Sequence, residues 1–210
     1  MRITVFGAGG AVGGRVASEA IARGHDVTAV VRRAVDLPDG VRVRNGDAAN
    51  ADEVEALSAG QDVVVAATRP APGREPELPV VAAAMLDGVA RSGVRLLVVG
   101  GAATLLVPGV GTTLHETPGF PAELAAIAQA CAEQLAVCRA HTTADWTYLS
   151  PPAELNPGVR TGNYRVGADD LLVDADGRSW ISMEDFAVAL LDEVERPAHR
   201  RTRFTVAAGG

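Results

Sequence analysis

Short apolar runs recur along the chain at 2–6 (RITVF), 26–31 (DVTAVV), 62–67 (DVVVAA), 95–99 (RLLVV) and 145–149 (DWTYL). Most positions in these runs are apolar, without strict alternation, which is the pattern of strands covered on both faces. A shorter run at 41–44 (VRVR) reads as a further strand before Asn45-Gly46-Asp47. Between the runs, apolar residues recur at helical spacing over 11–23, 51–58, 80–91 and 122–140. Gly24 is placed to end the first of these helices, Asn50 to cap the second and Ser92-Gly93 to end the third. The stretch 69–79 holds four prolines and reads as a loop. Strands alternating with helices predict a parallel sheet covered on both sides, a doubly wound α/β fold.

The last third breaks this rhythm. Residues 155–179 read as an insertion of loops and short strands within a covering segment of about 151–181. Ser182-Met183-Glu184-Asp185 resembles a capping box that opens a helix to about 195. A late strand is expected at 203–206. No internal repeat or low-complexity tract interrupts the 210 residues, so the expectation is one domain spanning 1–210.

The sharpest local signal is ITVFGAGGAVGG at 3–14, which holds five glycines. The spacing G-x-G-x-x-G fails, because Val12 stands where it needs glycine. The spacing G-x-x-G-x-x-G fits Gly7, Gly10 and Gly13. Gly7 allows the tight turn off the strand, Gly10 a close approach of pyrophosphate, and Gly13 close packing of helix on strand. The loop Gly7, Ala8, Gly9, Gly10, Ala11, Val12, Gly13 is therefore read as a dinucleotide cradle at a helix N-terminus. The second strand ends in Arg32-Arg33, where an NAD-selective site usually carries an acid. Two guanidiniums favour NADP(H), with NAD(H) as the other option. Asp47 is a candidate partner for the adenine amino group, or else a cap for the next helix, with Ala48 beside it. Ala67-Thr68, Gly100-Gly101 and Pro151 follow strand ends, the edge at which ligands bind in open α/β sheets.

Composition narrows the chemistry. Every one of the 19 basic residues is Arg, and the net charge is −7. A duplex-binding surface is not expected from that balance, so no nucleic-acid partner is read. Without lysine, a Tyr-x-x-x-Lys mechanism is excluded. Cys131 and Cys138 lie two helical turns apart, about 10 Å, too far for a disulfide. They read as semi-buried residues of a cytoplasmic protein, and no metal site is expected. Neither a signal peptide nor a run of membrane-spanning length is read. The Ala-rich helix 122–140 suits either the core or a homodimer interface.

Taken together, VFGAGGAVGG, AVVRR, RNGDA, DVVVAAT, RLLVVGGAATL, TPGFP, DWTYLSPP and ISMEDFAVALLDEVERP resemble the atypical short-chain dehydrogenase/reductase group. That group of NAD(P)H-binding proteins includes flavin reductases and biliverdin reductase B. The resemblance implies a Rossmann sheet of strand order 3-2-1-4-5-6 plus a late strand, with substrate over the nicotinamide under the C-terminal third. Asp36 stands where the human-type flavin reductase pattern has a second arginine. Ala102-Ala103 replace its Thr-Ser, Thr104 stands where bacterial relatives place Ser, and Ala153 replaces its His.

The remaining candidates for substrate contact or catalysis are Thr104, His115 and Tyr164, whereas Tyr148 reads as core. The expectation is an NAD(P)H-dependent oxidoreductase acting on a small-molecule substrate. FMN, FAD or a quinone would accept hydride, and solvent can supply the proton. The alternatives are a tailoring reductase or isomerase on the same fold, or a non-catalytic NADP(H) sensor.

Overall fold

The computed structural model describes residues 1–209. Its main sheet has eight strands in the order β3-β2-β1-β4-β5-β6-β10-β8. The strands β1 (Arg2–Phe6), β2 (Asp26–Val31), β3 (Arg42–Asn45), β4 (Val63–Ala66), β5 (Arg95–Val99) and β6 (Trp146–Ser150) supply the expected 3-2-1-4-5-6 order. All of these pair in parallel. The late strand β10 (Thr202–Ala208) continues the sheet parallel to β6. An antiparallel edge strand, β8 (Tyr164–Gly167), comes from the insertion. This is the Rossmann-like, doubly wound α/β fold that the alternation predicts.

Helices α1 (Ala11–Ala22) and α5 (Met183–Glu195) pack together on one face of the sheet. Their apolar residues Val16, Ala20, Phe186 and Leu190 meet Ile3, Val5, Val65 and Leu97 in one core cluster. The other face carries α2 (Ala51–Ser58), α3 (Glu77–Ser92) and α4 (Ala125–Ala140). There Val54, Leu86 and Leu135 pack on Phe6, Val64 and Tyr148. Alternate positions along each strand thus feed opposite cores, which explains why the runs are apolar throughout.

Two boundaries differ from the sequence reading. Helix α3 begins at Glu77, inside the stretch read as loop, so Pro79 lies in its first turn. Proline is tolerated there because the first-turn N–H groups have no helical acceptor. The helix expected from 122 opens as a short 3-10 turn, Ala122–Leu124, before α4. In the insertion, β7 (Glu154–Asn156) pairs in parallel with β9 (Trp180–Ser182) to form a separate two-stranded sheet.

Candidate functional site

The glycines after β1 divide the work as their spacing suggests. Gly7 has φ +84, and a Cβ there would lie 2.3 Å from the Ala67 carbonyl oxygen. A Cβ on Gly13 would lie 2.2 Å from the Gly7 carbonyl oxygen, so only glycine lets α1 sit this close to the turn. Gly10 is different. It is exposed, and a Cβ there would touch only the Gly7 oxygen, at 3.3 Å. Open space over the Gly10 backbone is what a phosphate approaching the loop needs.

Gly10 is also the N-cap of α1, which has no side-chain cap and no acid in its first turn. By contrast, Asn50 caps α2 and Ser182 caps α5 through side-chain oxygens. Among the described residues, the N–H groups of Ala11, Val12 and Gly13 find no acceptor. This row of free donors at a helix N-terminus fits a pyrophosphate. Ala8 is buried in the core and can offer only its backbone, while Gly9 lies exposed under Val35.

Arg32 and Arg33 project from the loop after β2, both exposed. Among the described residues, neither forms an ion pair or hydrogen bond, and Asp36 does not pair with them. Asp47 is not the helix cap, since Asn50 fills that place. One Asp47 oxygen accepts from the Ala49 N–H at 3.0 Å, and the Asp47 N–H donates to Glu53 at 2.9 Å. Ala48 packs partly on the core beside it, and Ala67 and Thr68 lie half-buried beside Gly7. Pro151 is buried directly after β6.

Gly100 and Gly101 have a reason for being glycine that the sequence did not disclose. A Cβ on Gly100 would lie 2.0 Å from the Tyr148 ring, and one on Gly101 2.7 Å from the Cys131 sulfur. Tyr148 is fully buried; its hydroxyl donates to Gln134 at 3.0 Å and accepts from the Gly101 N–H at 3.3 Å. Burial raises its pKa well above the usual 10. Tyr148 therefore supports the loop from below. Burial likewise lifts the Cys131 thiol to about 11, although the Arg69 guanidinium acts the other way.

The loop after β5 carries two of the three candidates. His115 is half-buried, and its Nδ1–H donates to the Ala103 carbonyl at 2.8 Å. That bond fixes the proton on Nδ1 and leaves Nε2 without a partner among the described residues. Thr113 lies 3.0 Å from the same nitrogen and donates to Glu116 at 2.5 Å. The Thr104 hydroxyl accepts from Arg203 at 2.9 Å and retains its own hydrogen for a ligand.

Arg203 is a residue that sequence reasoning missed. It is buried and also reaches the Thr104 carbonyl at 3.1 Å and the Asp169 carboxylate. It ties the β5 loop to the insertion, where Leu106 exchanges backbone bonds of 2.9 and 2.8 Å with Asp169 and Leu171. Ser150 was missed as well: its hydroxyl is fully buried and unpartnered at the end of β6. Arg69, one residue past Thr68, is an exposed cation close enough to act on Cys131. The serine and Arg69 were visible as types, but nothing in their spacing marked them.

Tyr164 needs correction as a substrate contact. Its hydroxyl donates to Asp192 of α5 at 2.5 Å, which places it against the α1–α5 layer. Burial first and the Asp192 bond second push its pKa above the usual 10. The cause is register. Tyr164 pairs with Ala208, which lies on the same face of β10 as Phe204 and Val206, the face that α5 covers.

The segment 158–162 follows the same course. Arg160 binds Glu19 at 2.7 and 2.8 Å, and Asp185 accepts from Thr161 and Gly162 at 2.6–2.7 Å. Within the insertion it is the stretch 169–171 that meets the β5 loop.

A glycine cradle on an uncapped helix, at the carboxyl edge of a 3-2-1-4-5-6 sheet, defines a dinucleotide-binding protein. The family model described as NAD(P)H-binding matches residues 7–197, and the chain belongs to that family, a group like the atypical short-chain dehydrogenases/reductases. The chain is 40% identical to the uncharacterized protein YwnB of Bacillus subtilis (strain 168), covering 98% of both chains. It is 30% identical to a Streptococcus pneumoniae TIGR4 protein provisionally named an NADH-flavin reductase, with TM-score 0.90 and 99% of each chain covered. It is 37% identical to a Bacteroides thetaiotaomicron protein provisionally named an epimerase, with TM-score 0.90, covering 100% of this chain and 97% of that one. The family is one of NAD(P)H-binding proteins. Among the described residues no helix is long and apolar enough to cross a membrane, and no group of three or more His, Cys, Asp or Glu is placed to hold a metal ion.

Proposed function

We propose that the chain is an NADPH-dependent oxidoreductase that reduces a small conjugated acceptor of the flavin or quinone kind. The observation that carries this reading is the pairing of the phosphate cradle with two unpaired guanidiniums, Arg32 and Arg33, at the end of β2. The free N–H groups at the start of α1 hold the pyrophosphate. Arg32 and Arg33 take the 2′-phosphate, and the open Asp47 oxygen takes the adenine amino group. When bound, NADPH supplies the hydride. Thr104 donates a hydrogen bond to the acceptor, and the acceptor takes its proton from Nε2 of a protonated His115. The Ala103 carbonyl holds that ring in place.

The test is anaerobic NADPH oxidation with FMN as acceptor, run beside a direct NADPH titration. Saturable turnover supports the reading. Tight binding without turnover favours a sensor, and rearrangement of a substrate without net oxidation favours the isomerase activity suggested by the Bacteroides protein's name.

Arg32→Ala is expected to weaken NADPH by roughly 10- to 100-fold, the worth of a charge-assisted bond, and to leave NADH nearly unchanged. Equal losses for both cofactors in the titration would move the 2′-phosphate elsewhere. His115→Gln is expected to lower turnover by about 100-fold while NADPH affinity stays the same. Undiminished turnover would mean that solvent protonates the acceptor.

A further inference from the structure

The β3 edge of the sheet, on the side that α2 covers, carries a feature outside the proposed cofactor site. Arg42 and Arg44 stand two residues apart on the edge strand β3, so their side chains share a face, about 7 Å apart along the strand. In register, Thr4, Thr28 and Arg42 form a polar row across β1, β2 and β3. That row lies under α2, since the Thr4 hydroxyl donates to the Leu57 carbonyl at 3.4 Å. Beside it is an open cavity of about 220 Å³, lined by Thr28, Arg42, Arg44, Leu57 and Gln61 among others.

The polar groups of this cavity lack partners. Thr28 is 8% exposed, and its hydroxyl makes no hydrogen bond among the described residues. The Gln61 side-chain oxygen is buried and unbonded. Arg44 has no carboxylate partner among the described residues, and Arg42 has only Asp26, at 3.8 Å and well exposed. No acidic residue lines the cavity. In a chain of net charge −7, this is a local concentration of cations and free donors.

We infer that this β2–β3 cavity is a second anion site that takes a small phosphate-class dianion, free or at the head of a short ester. Two guanidiniums held side by side repel each other, and a dianion between them removes that repulsion while accepting charge-assisted bonds. Size sets the class. Cofactor pockets run to roughly 300–1,000 Å³, so about 220 Å³ holds a phosphate and a few carbons but not a dinucleotide. Position separates it from the cofactor. Gln61 precedes β4 and Arg42 opens β3, whereas the glycine loop and Arg32 follow the far ends of β1 and β2.

The experiment is titration of the full chain with inorganic phosphate and, in parallel, with glycerol 3-phosphate, both at constant ionic strength against chloride. It is run with NADP⁺ present in excess and repeated on Arg44→Gln, Arg42→Gln and Arg32→Ala. The expected result is binding that survives excess NADP⁺ and is weakened at least about 10-fold by Arg44→Gln or Arg42→Gln. With NADP⁺ saturating, Arg32→Ala should leave this phosphate binding as in the parent. Tighter binding of the ester identifies a phosphorylated metabolite, and tighter binding of phosphate identifies the free ion. The inference is overturned if neither ligand binds, if NADP⁺ abolishes binding, or if both β3 variants bind as the parent does.

Discussion

Replacing Glu193 by leucine is expected to lower the free energy of unfolding by about 3–5 kcal/mol, read from equilibrium urea denaturation. Glu193 and Arg95 form an ion pair with both side chains almost fully buried between α5 and the sheet. Arg95 also donates to the Glu193 carbonyl at 2.9 Å and to Thr147 at 2.7 Å, and its Nε has no partner. Glu193 further accepts from the His199 ring at 2.8 Å and from the N–H groups of Ala198 and His199 at 3.0–3.2 Å. Removing the carboxylate leaves the buried Arg95 guanidinium without its counter-charge and frees the Ala198 and His199 N–H groups, and the buried cation is what makes the substitution costly. The double change Glu193→Leu with Arg95→Met should recover most of the loss, because apolar groups can replace a buried pair. A single-variant loss under about 1 kcal/mol would show that water reaches this pair.

The same residue fixes an acid limb. Burial pushes the Glu193 carboxyl up, but the bonds from His199, Arg95 and Ala198 outweigh it and hold it below the usual 4.5. Its folded pKa is thus lower than its unfolded one. The stabilisation is complete above the usual carboxylate range and disappears as pH falls through the folded value. Glu193→Gln should flatten that part of the stability–pH curve.

The second large effect concerns binding. Gly10→Val is expected to weaken NADPH and NADH alike by about 100-fold or more, equivalent to about 2.7 kcal/mol, in a direct titration. The cofactor-free chain should keep its melting temperature. The two halves of this expectation come from one geometry: a Cβ at Gly10 meets only the Gly7 oxygen at 3.3 Å, and beyond that the side chain enters the open space over the loop. Gly13→Val is the contrast. Its Cβ would strike backbone at 2.2 Å, so it should damage the fold itself. Unchanged cofactor affinity in a folded Gly10→Val chain would remove this loop from the pyrophosphate site.

Much of this was legible in the chain. Runs such as DVVVAA and RLLVV, alternating with helices, pointed to a parallel sheet buried on both faces, and the resemblance supplied the strand order 3-2-1-4-5-6 that the sheet shows. The roles of Gly7 and Gly13 followed from spacing alone. What was hidden depends on contacts between distant residues. Arg203 meets Thr104 across 99 positions, and no local pattern announces that bond. Tyr164 was misplaced because its facing depends on a one-residue register against β10, and a strand reverses faces at every step. Pro79 hid the start of α3 because a proline cluster reads as loop whether or not its last member enters a helix.

The pairing of α1 with α5 has a consequence for how the chain is made. The face of the sheet that begins with Ile3 and Val5 is closed by Phe186, Leu190 and Val194. At about 5–20 residues per second, synthesis reaches those side chains on the order of 10–40 s after the first strand. For that interval the nascent sheet has a ready cover on its α2–α3–α4 side, while the other face is covered by α1 alone and the apolar surface that α5 will close stays open. The chain is at its most aggregation-prone just before its last helix emerges, and a stop codon ahead of Ser182 would make that exposure permanent.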